Sequence, residues 1–169
     1  MNRQYKDIKN VPKEKKESRC KVSAKCGACS LIDVPYGEQL IDKYERMNDL
    51  IGGFGKVNDI IGMEQPEHYR NKVHAVFSYD RRTRQHICGT YQEGTHKVVP
   101  VNGCLLNDKK SDRIISGVRE IATRLRINIY DEDTGDGLLR HILIRTGHAT
   151  GEIMVVIVTA SPIFPAKNH

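Results

Sequence analysis

Nowhere in the 169 residues is there an apolar run approaching the roughly 18 residues that cross a bilayer, which excludes a membrane-spanning helix. The first thirty residues are lysine-rich and hold no hydrophobic stretch, so they do not have the form of a secretory signal. There is no internal repeat and no low-complexity block. A glycine-rich strand-to-helix turn of the dinucleotide-binding type is also missing. The glycine-rich string IGGFGKV follows a helical pattern instead of a strand and lacks the rest of that fingerprint, so it is read as a helix stop. These absences point to a cytoplasmic chain, where thiols stay reduced, and an odd total of five cysteines leans the same way.

What is present is enough apolar material, 38% of the residues, to build one sizeable core. The charge is unevenly placed. Residues 1–30 hold nine Lys or Arg against Asp7, Glu14 and Glu17, whereas the rest of the chain balances at 18 of each sign, so the whole excess of +6 lies at one end. Such an arm is either a solvated tail or an attractor of a polyanion such as RNA, where phosphate neutralisation releases counterions.

Residues 1–19 are polar and broken by Pro12, and are expected to form a basic flexible tail. A cysteine-rich loop over residues 20–36 follows, and then an α+β domain over residues 37–165. Within that domain, GEQLIDKYERMNDLIGGFG carries Leu40, Ile41, Tyr44, Met47 and Ile51 at helical spacing, a stripe of the kind that forms core. Short β-like runs come next: VNDIIGM, KVHAVFSYD, HICGTYQ and HKVVPV, the second and third joined by the basic connection RRTRQ. In KVHAVFSYD the alternation sets Val73, Ala75, Phe77 and Tyr79 on one face and His74, Val76 and Ser78 on the other. NDKKSDRIISGVREIATRLRINIY predicts a second amphipathic helix with an Asn or Asp cap. LLRHILIRTGHATGEIMVVIVTA predicts a hairpin in which Arg140 and Arg145 punctuate the first strand and IMVVIV is a buried strand. The fold expected is α+β: an antiparallel sheet with two main helices packed on it, preceded by the cysteine loop and the tail.

The stretch RCKVSAKCGACSL places Cys20, Cys26 and Cys29 in C-x5-C-x2-C spacing among lysines and small residues. Three sulfurs from one short loop can converge on a metal or a cluster, and both tetrahedral zinc and an iron–sulfur cube usually take a fourth ligand. Cys104, in the loop VPVNGCLLND, can reach outward to supply it, whereas Cys88 lies in a β-like run where a small thiol is most often buried. Structural zinc usually uses two C-x2-C pairs, and this chain has one. Three local thiols with one distant one favour iron–sulfur, with zinc and three unrelated neighbouring cysteines as the alternatives. The C-x3-C-x2-C spacing of radical enzymes is absent, which argues against that chemistry.

In order and spacing, CKVSAKCGACS, PEHYRNKVHAVFS, GTYQEGTHKVVPVNGCLLND and LLRHILIRTGHATGEIMVVIVTA resemble the cluster-bearing part of the bacterial RNA 5-methyluridine methyltransferases. These are the 23S rRNA (uracil-C5)-methyltransferases and their tRNA relatives. The resemblance covers roughly residues 20 to 160. It implies a [4Fe-4S] cluster on Cys20, Cys26, Cys29 and Cys104, liable to loss on aerobic purification, and assigns no role to Cys88.

In that family a cysteine thiolate adds to C6 of uracil, C5 attacks the methyl group of S-adenosylmethionine, a base removes the C5 proton and the thiol departs. The resemblance places the methyl-donor domain, the nucleophile and the base after the matched region. The chain is therefore expected to be an N-terminal fragment that does not methylate RNA alone, with no catalytic and no cofactor-binding residue of its own. Many members carry a small β-barrel RNA-binding domain ahead of the cluster, where this chain has only its basic tail.

RNA, rRNA in preference to tRNA, is the expected partner, and the chain is expected to be a monomer with no membrane association. Between residues 65 and 97 six Lys or Arg stand against three acids, interleaved with Tyr69, Tyr79 and Tyr91. Aromatics beside cations suit looped or single-stranded RNA. The candidate contacts are Tyr69, Arg70, Asn71 and Lys72, with Arg81, Arg82 and Arg84 in the basic connection. A zinc-stabilised RNA-binding module with no enzyme parent, and a protein-interaction domain whose tail serves only solubility, are the competing readings.

Overall fold

The structure is a computed structural model that describes residues 18–164, and its chain divides into two compact units. One comprises residues 18–23 with Cys29–Pro66, the other Ala24–Ala28 with residues 67–164. Most of the tail expected over residues 1–19 lies outside the described residues.

In the first unit the main element is helix α2, Tyr36–Ile51; the short helix α1, Ser23–Cys26, has its first residue assigned to that unit and the rest to the second. Glu38 in the first turn of α2 suits the positive end of the helix dipole. The Gln39 side-chain amide donates to the carbonyls of Leu31 and Val34 at 3.0 and 2.8 Å, tying the helix to its entry loop. Asn48 and Gly52 close the helix, and a single 3-10 turn, Gly52–Phe54, follows, as the glycine string predicts. The apolar stripe of α2 departs from expectation: Leu40 is buried, but Met47 and Ile51 are about half exposed. The predicted strand VNDIIGM is not one. It runs as an irregular segment in which Gly62 approaches Leu40 and Tyr36, and the Met63 N–H donates to the Tyr36 hydroxyl at 2.7 Å. One of its N–H groups is met by a helix side chain where a strand would use a ladder.

The second unit is a five-stranded antiparallel sheet in the order β3-β2-β1-β4-β5, with strands β1 Lys72–Asp80, β2 Gln85–Tyr91, β3 Val98–Pro100, β4 Leu139–Thr146 and β5 Ile153–Thr159. Helix α3, Lys109–Arg124, is capped by the Asp108 carboxylate, which accepts the Lys110 N–H at 2.8 Å, and it packs on β2, β1 and β4. The face of β1 expected to be apolar faces this helix: Val73, Ala75 and Phe77 join Cys88, Ile142 and Ile144 of the sheet, Ile115 and Ala122 of α3, and Ile127 in one core. Complete burial of each large side chain there stabilises the fold by about 1.5–3 kcal/mol. The α+β architecture with an antiparallel sheet is thus the one the residues predict, although of the two main helices only α3 is seen packed on the sheet, α2 belonging to the other unit.

IMVVIV, predicted to be buried, forms the outer edge of the sheet instead. Every residue from Ile153 to Val158 is between 36% and 48% exposed, and among the described residues β5 has a strand neighbour on one side only. A continuous apolar run specifies a strand, but it does not specify which place in the sheet the strand takes.

Candidate functional site

The cysteines fall into two environments. Cys88 on β2 is 2% exposed, and burial pushes its thiol up to about 12, so it is a core residue in the position expected for an unreactive thiol. Cys20, Cys26, Cys29 and Cys104 are half-buried, and none of the five is in a disulfide. Around the first three, the Ser23 N–H donates to the Cys20 carbonyl at 3.1 Å, α1 carries the chain to Cys26, and Gly27 turns it with φ of 63°. That left-handed value is the reason for a glycine beside the second cysteine. Gly103, at φ 74°, makes the corresponding turn ahead of Cys104.

Cys104 is held from several directions. Its N–H donates to Asp112 Oδ2 at 2.8 Å, the Leu106 N–H points at its sulfur at 3.4 Å, and Asp112 Oδ1 accepts from Asn107 Nδ2 at 2.8 Å. An N–H donor directed at sulfur stabilises a thiolate, and cysteine thiolates are the soft ligands that iron–sulfur centres and zinc take. The residue type suits such a group, whereas the arrangement among the described residues does not assemble one. Cys20 and Cys29 belong to one unit and Cys26 and Cys104 to the other. Among the described residues, no group of three or more His, Cys, Asp or Glu side chains is arranged to hold a metal ion.

The YRNK stretch is a strap running beside the Cys104 loop. The Arg70 N–H donates to the Leu106 carbonyl at 2.8 Å, its carbonyl accepts from Asp108 at 3.2 Å, and its guanidinium donates to the Ala28 carbonyl at 3.4 Å. His68, at φ 55°, adds a ring contact to the Asn107 carbonyl at 2.8 Å. Asn71 accepts from Thr146 at 2.8 Å, and Lys72 opens β1 opposite Arg145. Tyr69, Asn71 and Lys72 are exposed, while Arg70 is half-buried by its structural bonds.

Arg81, Arg82 and Arg84 are brought together in the exposed turn between β1 and β2. Asp80 builds this turn: its carboxylate accepts from the Arg82 N–H at 2.9 Å and from the Thr83 hydroxyl at 2.8 Å. The Thr83 hydrogen bond, aided by that of Arg82, holds the Asp80 carboxyl below its ordinary value. Arg81 Nη2 donates to Asp131 Oδ2 at 2.9 Å, joining the turn to an acidic loop over residues 126–137; α3 ends at Arg124, so RINIY, expected to continue the helix, opens this loop instead. That loop is closed on itself: the Asp131 N–H donates to the Asp136 carbonyl at 2.7 Å and the Tyr130 N–H to the Leu139 carbonyl at 3.0 Å. Arg140 makes two bonds to Glu132, at 2.8 and 3.0 Å, with its guanidinium 4.4 Å from the centre of the Tyr130 ring. Between loop, turn and sheet lies a cavity of about 690 Å³.

No family model matches the chain. It is 36% identical over 167 residues to a protein of Listeria innocua named an uncharacterized RNA methyltransferase, covering 95% of this chain and 36% of that protein. Proteins of the same name from Halalkalibacterium halodurans and Clostridium tetani are each 36% identical over 157 residues, covering 90% of this chain and 34% of theirs. The chain thus spans about a third of the length of the curated relatives it matches. Among solved structures, the Pyrococcus abyssi tRNA (uracil-54, C5)-methyltransferase in complex with S-adenosyl-L-homocysteine superposes with a TM-score of 0.66 at 24% identity, over 84% of this chain and 33% of that one. Over at least nine-tenths of its length the chain is therefore similar to part of proteins named RNA methyltransferases, and it shares its α+β fold with part of a tRNA methyltransferase.

Proposed function

We propose that the chain is the RNA-binding, iron–sulfur-bearing part of an S-adenosylmethionine-dependent RNA uracil-C5 methyltransferase of the cytoplasm, with rRNA as substrate. The observation that carries this reading is the 36% identity across 95% of the chain to a protein named an RNA methyltransferase. The fold shared with a uracil-C5 enzyme supports the choice of reaction. Cys20, Cys26, Cys29 and Cys104 would hold a [4Fe-4S] cluster, and the Leu106 N–H directed at the Cys104 sulfur supports that residue as the distant ligand. Uracil methylation as written transfers no electron, so the cluster's role is structural, pinning loops that are far apart in sequence. Methyl transfer from S-adenosylmethionine would belong to other parts of the whole protein. This chain contributes RNA contacts, for which Arg81, Arg82 and Arg84 in one exposed turn are the best placed.

Two measurements test the reading. Anaerobically purified chain should contain about four iron and four sulfide, whereas one zinc would indicate the zinc-stabilised module. Binding to RNA should weaken steeply with salt; a flat response would indicate a protein-interaction domain. In the whole protein, transfer of labelled methyl groups to 23S rRNA and not to tRNA would establish the substrate.

A further inference from the structure

The cavity beside the β1–β2 turn is built from parts that no single stretch of sequence announces. Three of the chain's seven tyrosines, Tyr79, Tyr91 and Tyr130, line it, together with the imidazoles of His86 and His96. The Tyr79 and His86 rings meet edge to face at 5.8 Å, and those of Tyr91 and His96 are tilted at 5.9 Å, so the walls present aromatic surface from two directions. Four arginines line it as well, and they are of two kinds. Arg81 and Arg140 are committed to Asp131 and Glu132. Arg84 and Arg126 have no carboxylate partner among the described residues. Both also sit at left-handed backbone angles, φ 58° and 53°. The turns account for both angles: the Arg84 N–H donates to the Asp80 carbonyl at 2.7 Å to close the hairpin, and Arg126 follows the end of α3, where the Ile127 N–H donates to the Ala122 carbonyl at 2.9 Å.

We propose that this cavity receives one unstacked nucleotide of a single-stranded RNA, with the base against the tyrosine and histidine rings and the flanking phosphodiesters against Arg84 and Arg126. The inference rests on the RNA-binding reading above and locates its site. The volume of 690 Å³ falls within the range of small-molecule sites. The charge balance selects among anions. The four arginines are matched by Asp131, Glu132, Asp133 and Asp136 on the same walls, so the cavity as a whole is not a strong anion trap. A compact dianion such as free phosphate would meet those carboxylates. A base with singly charged phosphodiesters at its edges meets aromatic faces inside and two uncommitted guanidiniums at its margins.

The test uses a fluorescein-labelled oligouridine and the whole chain, followed by anisotropy at several salt concentrations. Replacing Arg84 and Arg126 together by Gly removes both guanidiniums and relieves both strained angles. The double variant should melt no lower than the parent, yet bind at least about 10-fold more weakly, with a salt slope smaller by about 1.4 for two lost phosphate contacts. Tyr79→Ala and Tyr91→Ala should each weaken binding by about 5- to 100-fold with little change in slope. A 4-thiouridine in the oligomer should photocross-link to residues 79–91 or 126–137. If the parent binds RNA and the glycine pair leaves affinity and slope unchanged, the cavity is not the site, while the RNA-binding reading survives. If inorganic phosphate at millimolar concentration displaces the RNA, the cavity is a simple anion site and the inference fails. If the parent binds no RNA at any salt concentration, both readings fall.

Discussion

The backbone N–H of Cys104 and the carboxylate of Asp112 meet at 2.8 Å, joining a half-exposed thiol to the first turn of the helix that covers the sheet. Asp112 also accepts from the Asn107 side chain at 2.8 Å, so one carboxylate fixes both ends of the loop that carries the sulfur. Asp112→Ala would leave two part-buried donors without an acceptor and remove a negative charge from the helix N-terminus. The expected loss is about 2–3 kcal/mol in urea unfolding. Glu120→Ala, on the exposed side of the same helix, should cost under about 0.5 kcal/mol. Equal effects from the two would show that the Asp112 contacts are incidental.

Cys104 and Cys88 are expected to fail in opposite ways. On the proposed cluster, Cys104→Ser should bleach the brown absorbance of anaerobically purified protein, lower its iron content and lower its melting temperature. Cys88→Ser places a hydroxyl in a site that is 2% exposed, which costs about 1–3 kcal/mol, but it should leave the iron content per folded chain unchanged. Full iron retention in Cys104→Ser would remove that residue from the ligand set.

The strand β1 was legible because two-residue alternation writes one buried face directly into the sequence, β2 and β4 because of their β-like and β-branched residues, and α3 because its cap and apolar stripe coincide. The edge position of β5 was not legible: an unbroken apolar run describes a strand whose two faces are alike, and only pairing partners decide whether those faces are covered. VNDIIGM misled for a related reason, since its backbone partner is the Tyr36 hydroxyl, 27 residues earlier. The arginine turn was found from charge alone. Its cavity was not, because Arg81 and Asp131 are 50 residues apart and the acidic loop has neither helical nor strand periodicity. The proposal of Cys104 as fourth ligand came from loop position and resemblance, and among the described residues the structure gathers no group of such side chains around it.

Two histidines make stability fall toward acid. Burial holds His141 below its ordinary value of 6.5, assisted by His74 and Arg140 and opposed by Glu132, and burial does the same to His86. A histidine depressed in the folded state is protonated first in the unfolded chain, so stability is complete above about 6.5 and declines as pH falls below it. The lowered Asp80 and Asp131 act in a separate, more acidic window below their ordinary 3.8. The melting temperature should therefore fall between pH 7 and pH 5, and His141→Gln should flatten that decline. An unchanged profile in this variant and in His86→Gln would contradict the assignment.

The exposed edge strand carries no charge and no proline between Ile153 and Thr159, so nothing in it discourages pairing with another chain. Val156, opposite Leu143, is 41% exposed, and a lysine there can extend into water. Val156→Lys should raise the concentration at which light scattering reports association, with under about 1 kcal/mol lost in stability. Unchanged association would mean that the edge is already protected.

Glycines separate close approach from mere turning. A Cβ on Gly89 would stand 1.8 Å from the Val99 carbonyl oxygen and 2.8 Å from its carbon, within the ladder that pairs β2 with β3. Backbone cannot yield there without parting the strands, so Gly89→Ala should cost about 3 kcal/mol or more and expose the amides of β3 to rapid hydrogen exchange. At Gly53, where a Cβ meets nothing within 4 Å and the backbone is not left-handed, alanine should instead be neutral or stabilise by about 0.4–1 kcal/mol through a smaller unfolded-state entropy. Denaturation of the two variants side by side reads the contrast. Comparable stabilities would mean that β3 does not pair with β2 at this register.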